Sequence, residues 1–378
     1  MADFQRWAPE ARKHLKQGPG FWIKLKLDPF LLVLLLTIMA FGLLVLYSGS
    51  GSSEVAVQKQ MVRYSLALLA MVIVAQINLR NVQRWMPLLY LVGLLFLGAV
   101  LLFGVGAKGA QRWLEIPGLP RFQPSEIMKL VVPLTVSWYL ASRPRPPQLI
   151  HIIMALVIVA VPVLLIAKQP DLGTSVLIGA SGLFVIFFAG LLWCYVFAAM
   201  VLGAAGLPLL WMGMRGYQKQ RVLTFLDPES DPLGAGWNII QSKIAIGSGG
   251  VNGKGWLQGT QSHLDFLPET HTDFIVAVLA EEFGLIGVCL LLALYFLVLL
   301  RGLIIAAGAK HPFDRMLAAS LTLTFFVYVI VNIGMVTGVL PVVGVPLPLV
   351  SYGGTAAITL MASLGLLMSI HARRPQST

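Results

Sequence analysis

The sequence predicts an all-α polytopic membrane protein, a single domain over residues 1–378 with ten transmembrane helices. The chain is 57% hydrophobic and only 11% charged, whereas about a quarter of the residues in a soluble domain are charged. Ten apolar runs approach the roughly 20 residues that a helix needs to cross a bilayer. Lys and Arg are concentrated in alternate connections between these runs, which is typical of membrane topology.

The apolar runs are expected to be helices because lipid offers no partner for unpaired backbone N–H and C=O groups. The first run is longer than the apolar stretch of a signal peptide, so residues 1–28 are expected to remain as a cytoplasmic N-terminal segment. The predicted spans are 29–48, 61–79, 85–105, 124–141, 148–167, 172–190, 191–213, 272–300, 315–337 and 351–371.

Orientation follows from the distribution of charge. With the N-terminus in the cytoplasm, the inner segments hold the whole formal net charge of +11, and acids balance bases on the outer side. Both termini are then cytoplasmic, as an even number of spans requires. The sequence pI near 9.8 therefore reflects membrane topology, and no nucleic acid is expected as a partner.

Two outer connections are long or rich in charge: residues 106–123, and the large extracytoplasmic loop 214–271 between the seventh and eighth predicted helices. Loops of such length are usually functional or disordered. The second loop carries aromatic residues among its glycines, so we expect it to pack back on the membrane face. These aromatic residues are Phe225, Trp237, Trp256 and Phe266.

The segment PETHTDF places Asp273 at the start of the eighth predicted helix, with Thr272 as a candidate N-cap. The helix dipole and nearby cations favour the ionised carboxylate there, whereas burial at the membrane edge disfavours it. An ionised but poorly solvated carboxylate suits general-base catalysis. Two interpretations remain open for Asp273: a helix-capping residue and a catalytic base.

Glu281 and Glu282 lie deeper in the same predicted helix. Glu281 is about 12 Å along the helix axis from Asp273, which is too far for a pair of cooperating carboxylates. Acids inside a membrane are costly and usually face a cavity or a partner. We interpret the two glutamates either as structural partners of a base on another helix or as part of a proton path.

Glu126 and Lys129 are three residues apart on the fourth predicted helix, so their side chains can pair. The pair is interpreted either as structural or as positioning a substrate or the Asp273 carboxylate. Other outer bases are candidate receptors for phosphate oxygens, with ordinary solvated loop charge as the alternative. They are Arg112, Arg121, Lys168, Arg215, Lys219 and Arg221.

Metal and nucleotide signals are weak. A spacing of two residues, with one gap, relates His263, Asp265, Glu269, His271 and Asp273. A loosely held divalent cation on carboxylate oxygens is expected there rather than a zinc site. Cys194 and Cys289 lie within apolar runs, so no disulfide framework is predicted. The stretch GSGGVNGKG over 247–255 looks like a phosphate loop but fits no nucleotide-binding pattern.

Several long stretches occur in a specific order, among them RWLEIPGLPRFQPSEIMKL, KQPDLGTS, GTQSHLDFLPETHTDF and VNIGMVTGVLPVVGVPLPLVSYGG. In these stretches, and over nearly its whole length, the chain resembles the SEDS family of bacteria (shape, elongation, division and sporulation proteins), and within it the RodA type. The resemblance implies a peptidoglycan glycosyltransferase of the cytoplasmic (inner) membrane. Such an enzyme polymerises lipid II during cell elongation and rod-shape maintenance, with its active site facing the periplasm.

The resemblance also implies roles for single residues. Asp273 becomes the catalytic base that deprotonates the acceptor sugar. A class B penicillin-binding protein transpeptidase and other elongation-complex proteins are implied as partners, with no organic cofactor but with a divalent cation such as Mg or Mn. The residues implied in or near the substrate cavity are Trp113, Arg121, Glu126, Lys129 and Arg221.

Two other classes of function compete with this interpretation. A lipid II flippase is the alternative function, in which Glu281 and Glu282 would be gates. A flippase needs a polar path through the whole bilayer, whereas this sequence concentrates its charge at the outer end of the spans. A scaffold that only recruits partners would leave the outer charged residues unexplained.

Overall fold

The structure, a computed structural model, describes residues 25–107, 110–115, 121–214, 216–227, 235–260 and 270–373. These residues form twelve helices and one antiparallel pair of short strands, β1 (Val105–Ala107) and β2 (Ala110–Trp113). The helices are α1 (Pro29–Gly49), α2 (Glu54–Gln76), α3 (Leu79–Phe103), α4 (Pro124–Ala141), α5 (Leu149–Lys168), α6 (Leu172–Phe188), α7 (Trp193–Gly213), α8 (Gly216–Leu226), α9 (Ala235–Gly249), α10 (Ile275–Ala307), α11 (Pro312–Val336) and α12 (Thr355–Ala372).

The predicted class, a mostly helical multi-pass membrane protein, is confirmed. Among the described residues, seven helices are long and apolar enough to cross a membrane, namely α1, α2, α3, α5, α10, α11 and α12. The helix α6 and residues 193–209 of α7 are apolar but shorter. The helix α4 occupies the fourth predicted span, where Glu126 and Lys129 lower the mean hydropathy of the segment.

Side-chain capping, rather than hydrophobicity, sets the starts of α1, α2 and α3. The Asp28 carboxylate accepts hydrogen bonds from the backbone N–H groups of Phe30 and Leu31 and so caps α1. The side chains of Ser53 and Asn78 cap α2 and α3 in the same way. The predicted starts of these two helices, at residues 61 and 85, were therefore six residues or more too late, because their first turns are polar.

The helix α11 is central in the bundle, since 67% of its most apolar stretch is buried, compared with 22% for α2 and α3. The larger apolar cluster joins α1, α2, α10, α11 and α12, and a second one joins α3, α4, α5 and α6. The exposed apolar faces of α2, α3 and α7 are those expected of helices that contact lipid. Groups on α11 can therefore reach both halves of the molecule.

The segment 214–271 is not a simple loop, because α8 and α9 lie within it. The Ser242 hydroxyl of α9 donates to the carbonyl of Val336 at the end of α11, and the indole N–H of Trp256 donates to the Leu44 carbonyl of α1. These contacts confirm that this segment packs back on the helices. Phe266 lies outside the described residues.

The long helix α10 is broken at Gly284, where φ is +64° and ψ is −163°. The backbone N–H groups of Lys254 and Gly255 donate to the carbonyls of Glu281 and Glu282, both at 3.0 Å. A Cβ atom at Gly253 would lie 2.1 Å from the Glu282 carbonyl oxygen. The glycine-rich stretch over 247–255 thus supplies partners to a helix break, and its glycines allow the two backbones to approach.

Candidate active site

Asp273 lies in a turn at residues 271–274, and α10 begins only at Ile275. The helix has Phe274 at its N-cap position, without a side-chain capping hydrogen bond. The predicted N-cap at Thr272 was therefore wrong, and Asp273 precedes the first helical turn. Its side chain is half-buried, so it combines partial desolvation with access from outside.

The turn that carries Asp273 is fixed through its backbone carbonyls and the hydroxyl of Thr270, which explains why it does not continue the helix. Every partner comes from a segment distant in sequence, so the position of the carboxylate depends on the tertiary fold. The hydrogen bonds are Thr270 Oγ1 to the Gly49 carbonyl (2.7 Å), Tyr352 N to the His271 carbonyl (2.8 Å), Ser351 Oγ to the Thr272 carbonyl (2.5 Å) and Asn332 Nδ2 to the Asp273 carbonyl (3.1 Å).

The loop after α11 lies against the Asp273 carboxylate. A Cβ atom at Gly344, where φ is +69°, would be 3.4 Å from Asp273 Oδ2. A Cβ atom at Gly173 would be 2.7 Å from the carbonyl oxygen of Val343 in the same loop. The loop therefore connects the start of α6 to Asp273, and glycine leaves room beside the carboxylate.

Glu126 and Lys129 form a buried ion pair, with 2.6 Å between Lys129 Nζ and Glu126 Oε1. The second oxygen, Glu126 Oε2, accepts a hydrogen bond from the Thr359 hydroxyl at 2.6 Å. Lys129 Nζ also lies 5.3 Å from the centre of the Tyr328 ring. The predicted pairing is confirmed, and both carboxylate oxygens are occupied, as burial of a charge requires.

The helix α11 brings the ion pair and Asp273 together. Tyr328 contacts Lys129, whereas Asn332 holds the backbone of Asp273. Because these two residues are four apart, they lie on one face of α11 and about 6 Å apart along its axis. The two groups that the sequence marked separately therefore lie beside adjacent turns of one buried helix.

Asp171 is a buried polar residue that the sequence analysis did not assign. Its carboxylate caps α6 through the Thr174 N–H, accepts a hydrogen bond from Gln123 Nε2 at 2.9 Å and lies 3.9 Å from Arg112 Nη1. Arg112 also donates to the Pro170 carbonyl at 2.7 Å. An Asp directly before the apolar stretch that begins at Leu172 is a helix N-cap signal that could have identified it.

Arg63 is a second residue without an earlier assignment. Its guanidinium carbon lies 4.0 Å from the centre of the Tyr352 ring, which meets the His271 ring edge to face at 5.7 Å. The backbone of Tyr352 binds the residue two before Asp273. A permanent cation thus lies next to the turn that holds the carboxylate.

Other predicted site residues lie on the edges of this region. Trp113 ends β2 opposite Val105 and is half-buried. Arg121 is exposed and forms an ion pair with Glu115 at 3.2 Å, so the contacts of the described residues connect it to Glu115 rather than to the buried pair. Arg221 lies in α8.

The Glu281 side chain is held inside the protein by an ion pair and a backbone hydrogen bond. Its carboxylate is fully buried, lies 2.7 Å from Lys254 Nζ and accepts a hydrogen bond from the Thr260 N–H at 2.8 Å. Glu282 accepts a hydrogen bond from the Ser48 hydroxyl of α1. The expected pairing with a base is confirmed for Glu281, but the base comes from the segment after α9 and not from another helix.

The candidate cation-binding stretch is only partly described, since His263, Asp265 and Glu269 lie outside the described residues. The candidate phosphate receptor Arg215 lies outside them as well. Within the described ranges, no three His, Cys, Asp or Glu side chains lie close enough together to hold a metal ion.

The fold and the site define a multi-pass helical membrane protein with a carboxylate near one membrane face, beside a buried ion pair. The family model described as "Cell cycle protein", for FtsW, RodA and SpoVE proteins, matches residues 28–376. The chain belongs to this family.

Relatives and solved structures are similar over almost the whole chain. The peptidoglycan glycosyltransferase MrdB of Escherichia coli is 56% identical over 94% of this chain and 96% of its own. A chain of a peptidoglycan synthase complex that coordinates polymerization and crosslinking has a TM-score of 0.80 at 32% identity, covering 92% of this chain and 98% of that one. The rod shape determining protein RodA of Thermus thermophilus has a TM-score of 0.69 at 29% identity, with the same coverage.

Proposed function

We propose that this protein is a peptidoglycan glycosyltransferase that polymerises lipid II into glycan strands during cell elongation, with Asp273 as the general base. Membership of the family and 56% identity to a named peptidoglycan glycosyltransferase support the activity. The observation that carries the role of Asp273 is its half-buried position in a rigid turn outside the helix.

In the proposed reaction, Asp273 removes the proton from a hydroxyl group of the acceptor sugar. The oxygen attacks the anomeric carbon of the donor, a new C–O bond forms, and the bond from that carbon to the pyrophosphate breaks. The proton resides on Asp273, and the undecaprenyl pyrophosphate leaves as an anion. A carboxylate that is partly desolvated but reachable is suited to this proton transfer.

The remaining site residues are proposed to hold the substrate. Glu126 and Lys129 orient the site through α11, and Trp113 offers an apolar face to a sugar. Arg121 and Arg221 bind pyrophosphate oxygens. Arg63 is assigned the same role because its charge lies beside the turn that carries Asp273. A divalent cation such as Mg or Mn would be held by Asp273 together with oxygen atoms of the pyrophosphate, since hard cations prefer oxygen ligands.

The topology is part of the proposal. Ten spans, both termini in the cytoplasm and one domain over 1–378 would place Asp273 at the periplasmic face of the bacterial inner membrane, where the segment 214–271 also lies. Many of the outer charges are balanced in pairs, such as Lys129 with Glu126 and Lys254 with Glu281. The partner is a class B penicillin-binding protein transpeptidase, together with other elongation-complex proteins.

The contacts of Glu281 and Glu282 argue against the lipid II flippase. Glu281 is held by Lys254 and by Thr260, and Glu282 by Ser48. A gate must exchange partners during transport, whereas these carboxylates secure the helix break at Gly284.

Polymerisation in detergent micelles distinguishes the two functions, because a micelle has no second membrane face to which lipid II could be moved. The purified protein with its transpeptidase partner should convert fluorescent lipid II into a ladder of glycan strands on a gel. Transport of lipid II across vesicle membranes without any glycan product in micelles would support the flippase and contradict the proposal.

A further inference from the structure

A cavity of about 320 Å³ lies at the opposite end of α11 from Asp273. Asp314 in its wall and Asn332, which binds the Asp273 backbone, are eighteen residues apart on α11, or about 27 Å. This separation is close to the roughly 30 Å of a bilayer core, so the cavity and the active site lie at opposite membrane faces. Its volume falls within the range of about 300–1,000 Å³ of small-molecule sites.

The walls of the cavity carry an excess of positive charge. Arg80, Lys310 and Arg373 line it together with His311, and among the described residues that line it Asp314 is the only acid. Asp314 is buried and lies 3.8 Å from Arg373 Nη1. One carboxylate therefore faces three permanent cations, which leaves a net positive field for an anion to neutralise.

The cations are also close enough to repel one another. Burial lowers the pKa of Arg373, Asp314 partly offsets this effect, and Arg80 lowers the pKa further. An anion between Arg80 and Arg373 would relieve this repulsion.

The N-terminal ends of two helices add positive charge at the cavity. The helices α3 and α11 both begin at the cavity, at Leu79 and Pro312, and the N-terminal end of a helix carries partial positive charge that favours phosphate. Arg373 Nη2 donates to the Asn78 side chain at 2.9 Å, which fixes the guanidinium across the start of α3. Arg373 is thus held in place in the cavity wall, and the exposed Arg80 and Lys310 add their charges beside it.

We propose that this cavity binds the phosphate of an anionic phospholipid headgroup at the membrane face opposite Asp273. Soluble phosphate compounds share the same chemistry, but the cavity opens among the ends of helices that cross the bilayer, and Ile370 and Ala309 give it an apolar floor. Basic pockets between transmembrane helices are a known kind of headgroup site.

Native mass spectrometry of the purified full chain with added phosphatidylglycerol tests the proposal. Each of Arg80→Gln, Lys310→Gln and Arg373→Gln should reduce retention of this lipid about fivefold, since each basic residue contributes about 1 kcal/mol to anionic lipid binding. The matched control is Arg145→Gln, an exposed base in the turn between α4 and α5 at the same end, which should retain the lipid as the wild type does.

The lipid and soluble ligands are then compared. Retention of phosphatidylglycerol in millimolar inorganic phosphate, with little retention of zwitterionic phosphatidylcholine, supports the lipid assignment. Displacement by inorganic phosphate would overturn that assignment in favour of a soluble anion. Equal retention by the wild type and all three cavity variants, each eluting and unfolding like the wild type, would overturn the site itself.

Discussion

Replacement of Lys129 by Met tests whether the Glu126–Lys129 pair only stabilises the fold or also serves the reaction. In Lys129→Met the buried Glu126 carboxylate keeps the Thr359 hydroxyl but loses the ammonium group 2.6 Å away. Breaking one side of a buried ion pair typically costs about 3–5 kcal/mol, because the remaining charge is uncompensated. The single variant should therefore unfold at a clearly lower temperature than the wild type.

The double variant Glu126→Gln/Lys129→Met removes both charges and keeps the shapes of the side chains. Replacing a buried pair by neutral groups is often close to neutral for stability, so the double variant should recover most of the stability lost in Lys129→Met. We expect it nevertheless to polymerise lipid II poorly, because the site has lost its positioning pair.

Thermal unfolding in detergent and a gel assay of glycan products on the same preparations give both measurements. An active and stable double variant would show that the pair is structural only. A Lys129→Met protein as stable as the wild type would contradict the description of the pair as buried and mutually dependent.

Three further predictions concern the helix break, the substrate and the cation. Gly249→Ala should destabilise the protein by about 1–3 kcal/mol through overpacking, since its Cβ would lie 2.0 Å from the Ala280 carbonyl oxygen. The control Gly247→Ala, on the same helix, has open space and should be neutral or slightly stabilising. Equal unfolding temperatures of the two variants would refute the packing of the end of α9 against α10. Arg221→Ala should raise KM for lipid II with a smaller effect on kcat, and unchanged kinetics would place Arg221 outside the site. A chelator should lower glycan synthesis, with recovery on addition of Mg or Mn, and full activity in the chelator would remove the cation from the proposal.

The positions of the membrane helices could be predicted because burial of apolar side chains in lipid dominates their energetics. The first turns of α2 and α3 could not be predicted in this way, because these turns are polar and follow the capping residues Ser53 and Asn78. The helices α8 and α9 were missed because both lie in a segment that was predicted as a loop, and neither is itself a long apolar run. The break at Gly284 was also missed, because a glycine inside an apolar stretch is compatible with an unbroken helix.

The sequence marked single candidate residues of the site but not the geometry that relates them. Asp273, Glu126 and Lys129 were each marked by the cost of placing charge near lipid. Nothing in their spacing indicates that Tyr328 and Asn332 on one helix bring them together. The N-cap at Thr272 failed because long-range hydrogen bonds to the 270–273 turn outweigh the local capping preference.

The most direct test of the central claim is the glycan yield of Asp273→Asn, which keeps the size of the side chain but removes the base. The matched control is Glu54→Gln, which removes an exposed acid at the start of α2. We predict that Asp273→Asn folds and binds lipid II yet forms no glycan strand, while Glu54→Gln polymerises like the wild type. Glycan synthesis by Asp273→Asn at the wild-type rate would contradict the role of Asp273 as the base.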